Sequence, residues 1–415
     1  MHMKFVRARR FNLAVTLLLA LAAPTLSLAQ SLGAAPSWAQ SMGPGTWAAI
    51  SNNTIASVDP ANDPAANPNY PNSPAWGGNS GQMSVIASWN GGAIATKLGA
   101  KGSLLAWGGG HADYYGNEVY AFDLATQRWS RMSNPYKTPS FPVTSGIWPD
   151  GSPSVSHTAG KVAYHPGTNS FVSLMVQTSN NYWNDSVPAF FDLATKQWRH
   201  GARSPVTVVY GGWSAYDAKR DAFWLEGGDS GGELARFSMN GNGTSGSWTG
   251  YGAKYAALDT QGALDPVHDI VVITVFRQSP TMYALDLNNP GGDLITLKQG
   301  GSPPSREGAA GWVWSTVRQA FIYWRRGGGV YEVKLSGSDW RTGTWNWTNL
   351  TAGGNSVVPE DQSNGVYSRF GLVRYDDAEV AVVVNQVNGP VYAFKMPGSV
   401  TPQVRANPPS DVTAN

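Results

Sequence analysis

The chain has 415 residues, of which 13% are charged; its formal net charge is +2 and it contains no cysteine. The lack of cysteine excludes disulfide bridges, thiolate metal sites and cysteine nucleophiles. A near-neutral charge leaves no electrostatic footprint for nucleic acid, so no nucleic-acid partner is expected.

Residues 1–29 are predicted to be a cleaved signal peptide. Four basic residues precede a short apolar run from Leu13 to Leu21, and Ser27 and Ala29 are small residues just before Gln30. The apolar run is too short to span a bilayer, so we expect no membrane anchor. Removal of these residues takes away four positive charges and no negative ones, which leaves a net charge of −2. We therefore expect a secreted protein, either extracellular or periplasmic.

The remaining chain shows the pattern of an all-β protein. It is rich in glycine (48 residues) and tryptophan (18 residues), as expected for short aromatic strands joined by glycine-rich turns. A unit of two strands around a tight turn recurs at a spacing of roughly 50 residues. The six copies begin near Gly91, His157, Tyr210, Ala257, Ala309 and Phe370. A third strand follows each copy, and four of the predicted outer strands are marked by Trp129, Trp198, Trp248 and Trp347.

These repeats predict one β-propeller over residues 30–397, with about six four-stranded blades, followed by a proline-rich tail at 398–415. The sixth repeat stops at Met396 without an outer strand, whereas Gly45–Ile50 near the N-terminus resembles an outer strand without a blade. We therefore expect the N-terminal strand to complete the last blade and close the ring. Seven blades would result if the segment from Asp59 to Gly81 contained a further strand.

The repeats resemble those of kelch and galactose-oxidase-like propellers. Gly108-Gly109 followed by Tyr120 and Trp129 matches the kelch pattern of a double glycine, a tyrosine and a tryptophan. Partial matches are Gly227-Gly228 with Trp248, and Gly327-Gly328 with Tyr331 and Trp345. The other three blades lack the double glycine. The resemblance implies the fold and says little about activity. The copper-radical site of galactose oxidase needs a Tyr–Cys crosslink, so the absence of cysteine excludes that cofactor.

Propeller topology predicts which residues share a face. Loops between the second and third strands, and segments that lead into the innermost strands, surround the same mouth of the central channel. The catalytic candidates on this face are His111, His157, Tyr182 and Tyr210. The substrate-binding candidates are Asn90, Asp113, Tyr114, Trp183, Arg277, Arg306, Arg325 and Arg369. Each histidine and arginine has an alternative interpretation, in which it holds neighbouring blades together.

This set of residue types favours β-elimination from a uronate-containing polysaccharide. Arginine would neutralise the uronate carboxylate, and histidine or tyrosine would move the protons. The set resembles that of propeller-type polysaccharide lyases such as ulvan lyases, which implies an acidic polysaccharide as the partner. The alternatives are a non-catalytic propeller that binds glycan or protein, and an epimerase similar to sialic-acid mutarotases. We expect a monomer without a catalytic metal or cofactor, and the sequence leaves a structural calcium ion open.

Overall fold

The computed structural model describes residues 31–139, 145–177, 184–185, 187–206, 211–227, 233–241, 245–254, 259–275, 281–305, 308–353, 357–398 and 400. Within these residues the protein is an all-β propeller of six blades, each built on four antiparallel strands. The prediction of six four-stranded blades is therefore confirmed. The first elements are the short helix α1 (Ser37–Ser41) and the strand β1 (Trp47–Ala49).

The first three blades follow in chain order. Blade 1 contains β2 (Gly92–Ala95), β3 (Ser103–Ala106), β4 (Tyr120–Asp123) and β5 (Arg128–Arg131). Blade 2 contains β6 (Val162–His165), β7 (Ser170–Ser173), β10 (Ala189–Asp192) and β11 (Trp198–His200), with a small ribbon of β8 (Val176–Gln177) and β9 (Asn184–Asp185). Blade 3 contains β12 (Ser214–Asp217), β13 (Ala222–Glu226), β14 (Glu233–Met239) and β15 (Gly246–Ala253).

The last three blades complete the ring. Blade 4 contains β16 (Gln261–Asp265), β17 (Ile270–Val275), β18 (Thr281–Asp286) and β19 (Ile295–Thr296). Blade 5 contains β20 (Lys298–Gly301), β21 (Gly311–Ser315), β22 (Ala320–Trp324), β23 (Tyr331–Ser336) and β24 (Thr344–Asn349). Blade 6 contains β25 (Gly371–Arg374), β26 (Glu379–Val384), β27 (Val391–Lys395) and the N-terminal β1.

Strand β1 closes the ring as the sequence predicts. It pairs antiparallel with β27, so that Trp47 lies opposite Phe394 and Ala49 opposite Tyr392. Blade 6 thus takes three strands from one end of the chain and its fourth from the other. This pairing protects the exposed edge that β27 would otherwise present.

The segment between β1 and β2 adds no blade. Residues 50–91 form turns and short helices, namely three 3-10 helices and the α-helix α2. Their bounds are Ile55–Val58, Pro60–Asn62, Gly81–Met83 and, for α2, Ser84–Ala87; a fourth 3-10 helix is Tyr367–Arg369. The alternative of seven blades is therefore excluded.

The burial of each strand depends on its position in the blade. Every residue of the second strands β3, β7, β13, β22 and β26 is buried, because neighbouring blades cover both faces of the sheet there. The outer strand β5 instead alternates exposed and buried residues, since it lies at the rim. This difference accounts for the continuous apolar runs in the sequence, which are typical of strands buried on both faces.

Blade 5 differs from the expectation of four strands by one addition. Strand β20 pairs in parallel with the outer strand β24, and Trp347 Nε1 donates to Gln299 Oε1 at 3.0 Å. Gly301 ends β20 with a φ of +77°, and a Cβ at this position would lie 2.3 Å from the Trp347 carbonyl oxygen. Glycine allows this close approach, so the connection from blade 4 covers the edge of blade 5.

Candidate functional site

The loop that joins β3 and β4 meets the segment that leads into β6 at one mouth of the propeller. The loop carries His111 and the segment carries His157. Their imidazole rings lie edge to face, with centroids 4.0 Å apart and planes at 89°. The structure thus brings together two candidate acid–base groups that are 46 positions apart in the sequence.

Backbone contacts hold the His111 loop in place. The amides of Gly109 and Gly110 lie 3.4 and 3.2 Å from the Ser156 carbonyl oxygen, and the Tyr114 amide donates to the Gly109 carbonyl at 3.0 Å. Gly110 has a φ of +78°, and a Cβ there would lie 2.1 Å from a carboxylate oxygen of Asp113. The repeated glycines are therefore needed to fold the loop tightly against the blade 2 segment.

The tautomer of His157 follows from its surroundings. Its Nδ1 lies 2.6 Å from the Ser88 carbonyl oxygen, and since a carbonyl can only accept, Nδ1 carries the proton. In the neutral ring, Nε2 then holds the lone pair. Burial lowers the pKa of His157, while the Ser88 hydrogen bond and the Asp113 charge oppose this shift. The side chain is therefore a neutral base near pH 7.

His111 is neutral for a related reason. Burial and the neighbouring His157 lower the pKa of His111 to about 3. Charging both rings at this separation is unfavourable, so the pair holds at most one proton in excess of the neutral state. Two neutral imidazoles side by side provide both N–H donors and lone pairs, and general acid–base chemistry requires both.

Asn90 lies beside the pair but is completely buried. Its Oδ1 accepts from the Thr158 amide at 3.0 Å, and its Nδ2 donates to the Ser84 carbonyl at 2.7 Å. All of its side-chain contacts therefore lie within the protein, and they join the segments that lead into blades 1 and 2. The substrate-binding role predicted for Asn90 gains no support from this placement.

The two described arginines of the predicted carboxylate clamp are likewise engaged by the protein. Arg369 is fully buried and donates to the carbonyl oxygens of Val384, Asn90 and Gly365. Burial lowers its pKa to about 9. Arg325 is 6% exposed and donates to the Gly308 and Ser363 carbonyls and, at 3.0 Å, to Asp361.

The tyrosine next to Asp113 also has a place inside the fold. Tyr114 is 2% exposed, and its hydroxyl donates to the buried Glu118 carboxylate at 2.8 Å. Asp113 is half-buried, and its carbonyl accepts from the Ser80 amide at 2.8 Å. The remaining predicted site residues lie outside the described residues: Tyr182, Trp183, Tyr210, Arg277 and Arg306.

Sequence reasoning missed Trp89, which lies beside the histidine pair. Its ring centroid is 5.0 Å from that of His157, and the residue is 37% exposed. The sequence contains one signal that could have found it, since Trp89 directly precedes Asn90-Gly91-Gly92 at the start of the first blade. Aromatic residues are frequent throughout this chain, so the sequence alone does not separate this one from the core.

The described residues contain neither a metal-binding cluster nor a membrane-spanning helix. No group of three or more His, Asp or Glu side chains there is arranged to hold a metal ion. No helix in the same part of the chain is long and apolar enough to cross a membrane.

Comparisons with known proteins assign the chain to no family. No protein-family model and no curated protein matches the chain. Among solved structures 470 chains match. One of these, described as "Structure of YjhT", is 10% identical, with 74% of this chain and 94% of that chain covered and a TM-score of 0.40. A similarity this low carries no functional argument, and the propeller assignment rests on the strand topology.

Proposed function

We propose that this protein is a carbohydrate-active propeller that performs general acid–base chemistry on a sugar at the His111–His157 pair. The observation that carries the proposal is the edge-to-face packing of two imidazoles, whose ring centroids lie 4.0 Å apart and whose pKa values are both lowered. Neutral imidazole is an effective base near neutral pH, and the imidazolium that forms when it takes up a proton can return that proton as the acid. The fold does not contribute to this argument, because propellers support many unrelated activities.

Interconversion of sugar anomers is the reaction that fits the described residues best. His157 Nε2 would remove the proton of the anomeric hydroxyl, while the N–H of His111 would donate a hydrogen bond to the ring oxygen. The proton then passes from the His157 imidazolium to the ring oxygen as the ring opens. The bond between the anomeric carbon and the ring oxygen breaks as the carbonyl forms, and ring closure on the other face gives the second anomer. This is the epimerase alternative, and it needs no carboxylate clamp.

The β-elimination hypothesis makes a further demand. A lyase must neutralise the uronate carboxylate, usually with a positive charge or strong donors beside it. Arg325 and Arg369 are occupied by protein oxygens. Cleavage of a uronate polysaccharide would therefore depend on Arg277 and Arg306, which lie outside the described residues. We accordingly rank anomer interconversion first.

The test compares both reactions with the same protein preparation. The protein without residues 1–29 is mixed with free sialic acid, uronic acids and neutral aldoses, and anomer exchange is followed by nuclear magnetic resonance. Ultraviolet absorbance on uronate polysaccharides is recorded in parallel. We expect faster anomer exchange with at least one sugar, and we expect His157→Gln to reduce the rate by about 100-fold or more.

His268→Gln is the matched control. His268 lies on the opposite face, where its Nδ1 contacts Asp265 at 2.6 Å, so this variant should keep the activity. If ultraviolet absorbance rises and His157→Gln abolishes the rise, the reaction at this histidine pair is the lyase reaction and not anomer exchange. Sugar binding with neither reaction would contradict the enzyme proposal and favour a binding propeller.

Secretion is part of the proposal and rests on the predicted signal peptide at residues 1–29. An exported protein would meet free or polymeric sugars outside the cytoplasm. Determination of the N-terminal residue of the exported protein tests this, and a chain that begins at Gln30 is the expected result.

A further inference from the structure

One backbone position recurs where the chain enters the innermost strands. Two or three residues before β2, β6, β12, β16 and β21, the backbone is left-handed. The residues at this position are Trp89, Ala159, Gly211, Asp259 and Ala309, with φ between 46° and 80°. The bend is therefore a property of the architecture, because it turns the chain from the mouth into the channel wall.

Blade 1 has a large and partly exposed side chain at this position, whereas the large residue that precedes β25 of blade 6, Tyr367 with a φ of 50°, is buried. Three of the other four residues are alanine or glycine, and Ala159 and Ala309 are buried together against Tyr367. Trp89 is instead 37% exposed, and no other tryptophan among the described residues is as exposed. A left-handed conformation costs a bulky residue about 1–2 kcal/mol relative to glycine. A large ring kept there despite that cost, and only partly buried, suggests a functional role.

Contacts with blade 2 fix Trp89 relative to the histidine pair. Its carbonyl accepts from the Ala159 amide at 2.7 Å. The residues on either side are also tied to the His157 segment, since the Ser88 carbonyl accepts from His157 Nδ1 and Asn90 Oδ1 accepts from the Thr158 amide. The indole and the His157 ring meet at 81°. An exposed aromatic surface is thus held beside the proposed base.

We propose that Trp89 is the platform on which a pyranose ring stacks while His111 and His157 act on it. This inference rests on the proposed function and adds the class of substrate. A pyranose presents a face of C–H groups that matches the apolar surface of an indole, whereas its hydroxyls point to the rim of the ring. Furanosides and open-chain alditols lack a flat face of that size and should bind weakly.

The variant that removes the ring can be chosen so that it keeps the fold. Trp89→Gly places at this position the residue that blade 3 already has there, Gly211, and glycine adopts a positive φ without strain. Trp89→Phe keeps an aromatic face. Trp248→Ala removes a partly buried tryptophan from the outer strand of blade 3 and serves as the matched control.

The experiment measures binding and turnover separately. Titrations use methyl pyranosides, a methyl furanoside, an alditol and the most active sugar of the anomer-exchange test. We expect Trp89→Gly to weaken pyranoside binding by roughly tenfold or more, with a rise in KM larger than the fall in kcat. Trp89→Phe should recover most of the affinity, and Trp248→Ala should bind like the unmodified protein.

The outcomes separate this inference from the proposed function. If Trp89→Gly binds methyl pyranosides and exchanges the anomers of the most active free sugar normally while His157→Gln is inactive, the stacking role is wrong and the acid–base proposal stands. If His157→Gln is fully active while Trp89→Gly loses pyranoside binding, the platform stands and the acid–base proposal fails. Equal binding of pyranosides, furanosides and alditols would also overturn the stacking role.

Discussion

Glu118 is a buried acid that joins the end of the His111 loop to blade 1. One carboxylate oxygen accepts from the Tyr114 hydroxyl at 2.8 Å and from the Tyr120 hydroxyl at 2.6 Å, and Gln82 donates to Tyr120 at 2.7 Å. Burial raises the pKa of Glu118 to about 7, and the Asp59 charge adds to this while the tyrosine hydrogen bonds oppose it. This carboxyl therefore keeps its proton to a higher pH than a solvent-exposed glutamate does.

Glu118→Gln should change how stability depends on pH. The folded protein holds the Glu118 proton between pH 4.5 and about 7, where the unfolded chain has lost it. The contribution of Glu118 to the free energy of unfolding therefore falls as the pH rises through this range. The variant lacks this loss, so we expect it to be more stable than the unmodified protein at pH 8 by about 1–3 kcal/mol.

Denaturant unfolding at several pH values measures the effect of Glu118→Gln. Asp293→Asn, at an exposed position, is the control and should follow the unmodified protein. Identical pH dependence in Glu118→Gln and the unmodified protein would show that this carboxyl titrates normally.

At the scale of single elements, β1 is three residues long and yet closes the ring. Its first residue, Trp47, is 2% exposed and packs against Trp324 and Phe394 with ring centroids 5.3 and 5.2 Å away. The Trp47 Nε1 donates to the Gly328 carbonyl at 3.0 Å. The side chain thus joins blade 6 to blade 5, in addition to the backbone pairing of β1 with β27.

Trp47→Ala should destabilise the whole propeller. The substitution leaves a large cavity between two blades and removes one of the two side-chain hydrogen bonds to the Gly328 carbonyl, the other coming from Thr351. Truncations of this kind cost about 3–5 kcal/mol. Val358→Ala is the control, because Val358 is 50% exposed and its truncation should have little effect. Thermal and denaturant midpoints measure the difference, and an unchanged midpoint for Trp47→Ala would mean that closure does not limit stability.

At the scale of the whole molecule, side-chain contacts on the face opposite the histidine pair join three pairs of neighbouring blades. Arg220 in the β12–β13 turn donates to both carboxylate oxygens of Asp269 in the β16–β17 region, at 2.6 and 2.7 Å. His165 of blade 2 contacts Asp221 of blade 3 at 2.8 Å, and Ser315 of blade 5 donates to Glu379 of blade 6 at 2.8 Å. The turns on this face therefore also link neighbouring blades.

Asp269→Asn tests the link between blades 3 and 4. The Arg220 and Lys219 partners lower the pKa of Asp269, so its contribution to stability is present above pH 3.8 and is lost as the pH falls. We expect the variant to lose about 1–3 kcal/mol at neutral pH, the usual range for hydrogen bonds to charged groups. Unfolding curves against Asp293→Asn measure it, and equal midpoints for both variants would contradict the role.

The position of the histidine pair follows from repeats that are local in the sequence. Each blade is a continuous stretch of chain apart from blade 6, so the alternation of strands and turns specifies the blade count and which loops share a face. The strand at Trp47 could be assigned to the last blade, because an open propeller would leave an unpaired strand edge. His111 and His157 could therefore be assigned to one mouth, although their 4.0 Å contact could not.

The sequence by itself determined the propeller, its closure and the face on which the two histidines lie, because hydrophobic periodicity and turn residues act over a few positions. Only the tertiary structure decided which polar side chains at that mouth are engaged by other blades. Arg369 donates to Asn90, which is 279 positions away, and both are buried at the contact between blades 6 and 1. The exposure of Trp89 was decided in the same way, since whether a ring faces solvent or a neighbour depends on contacts that no local pattern encodes.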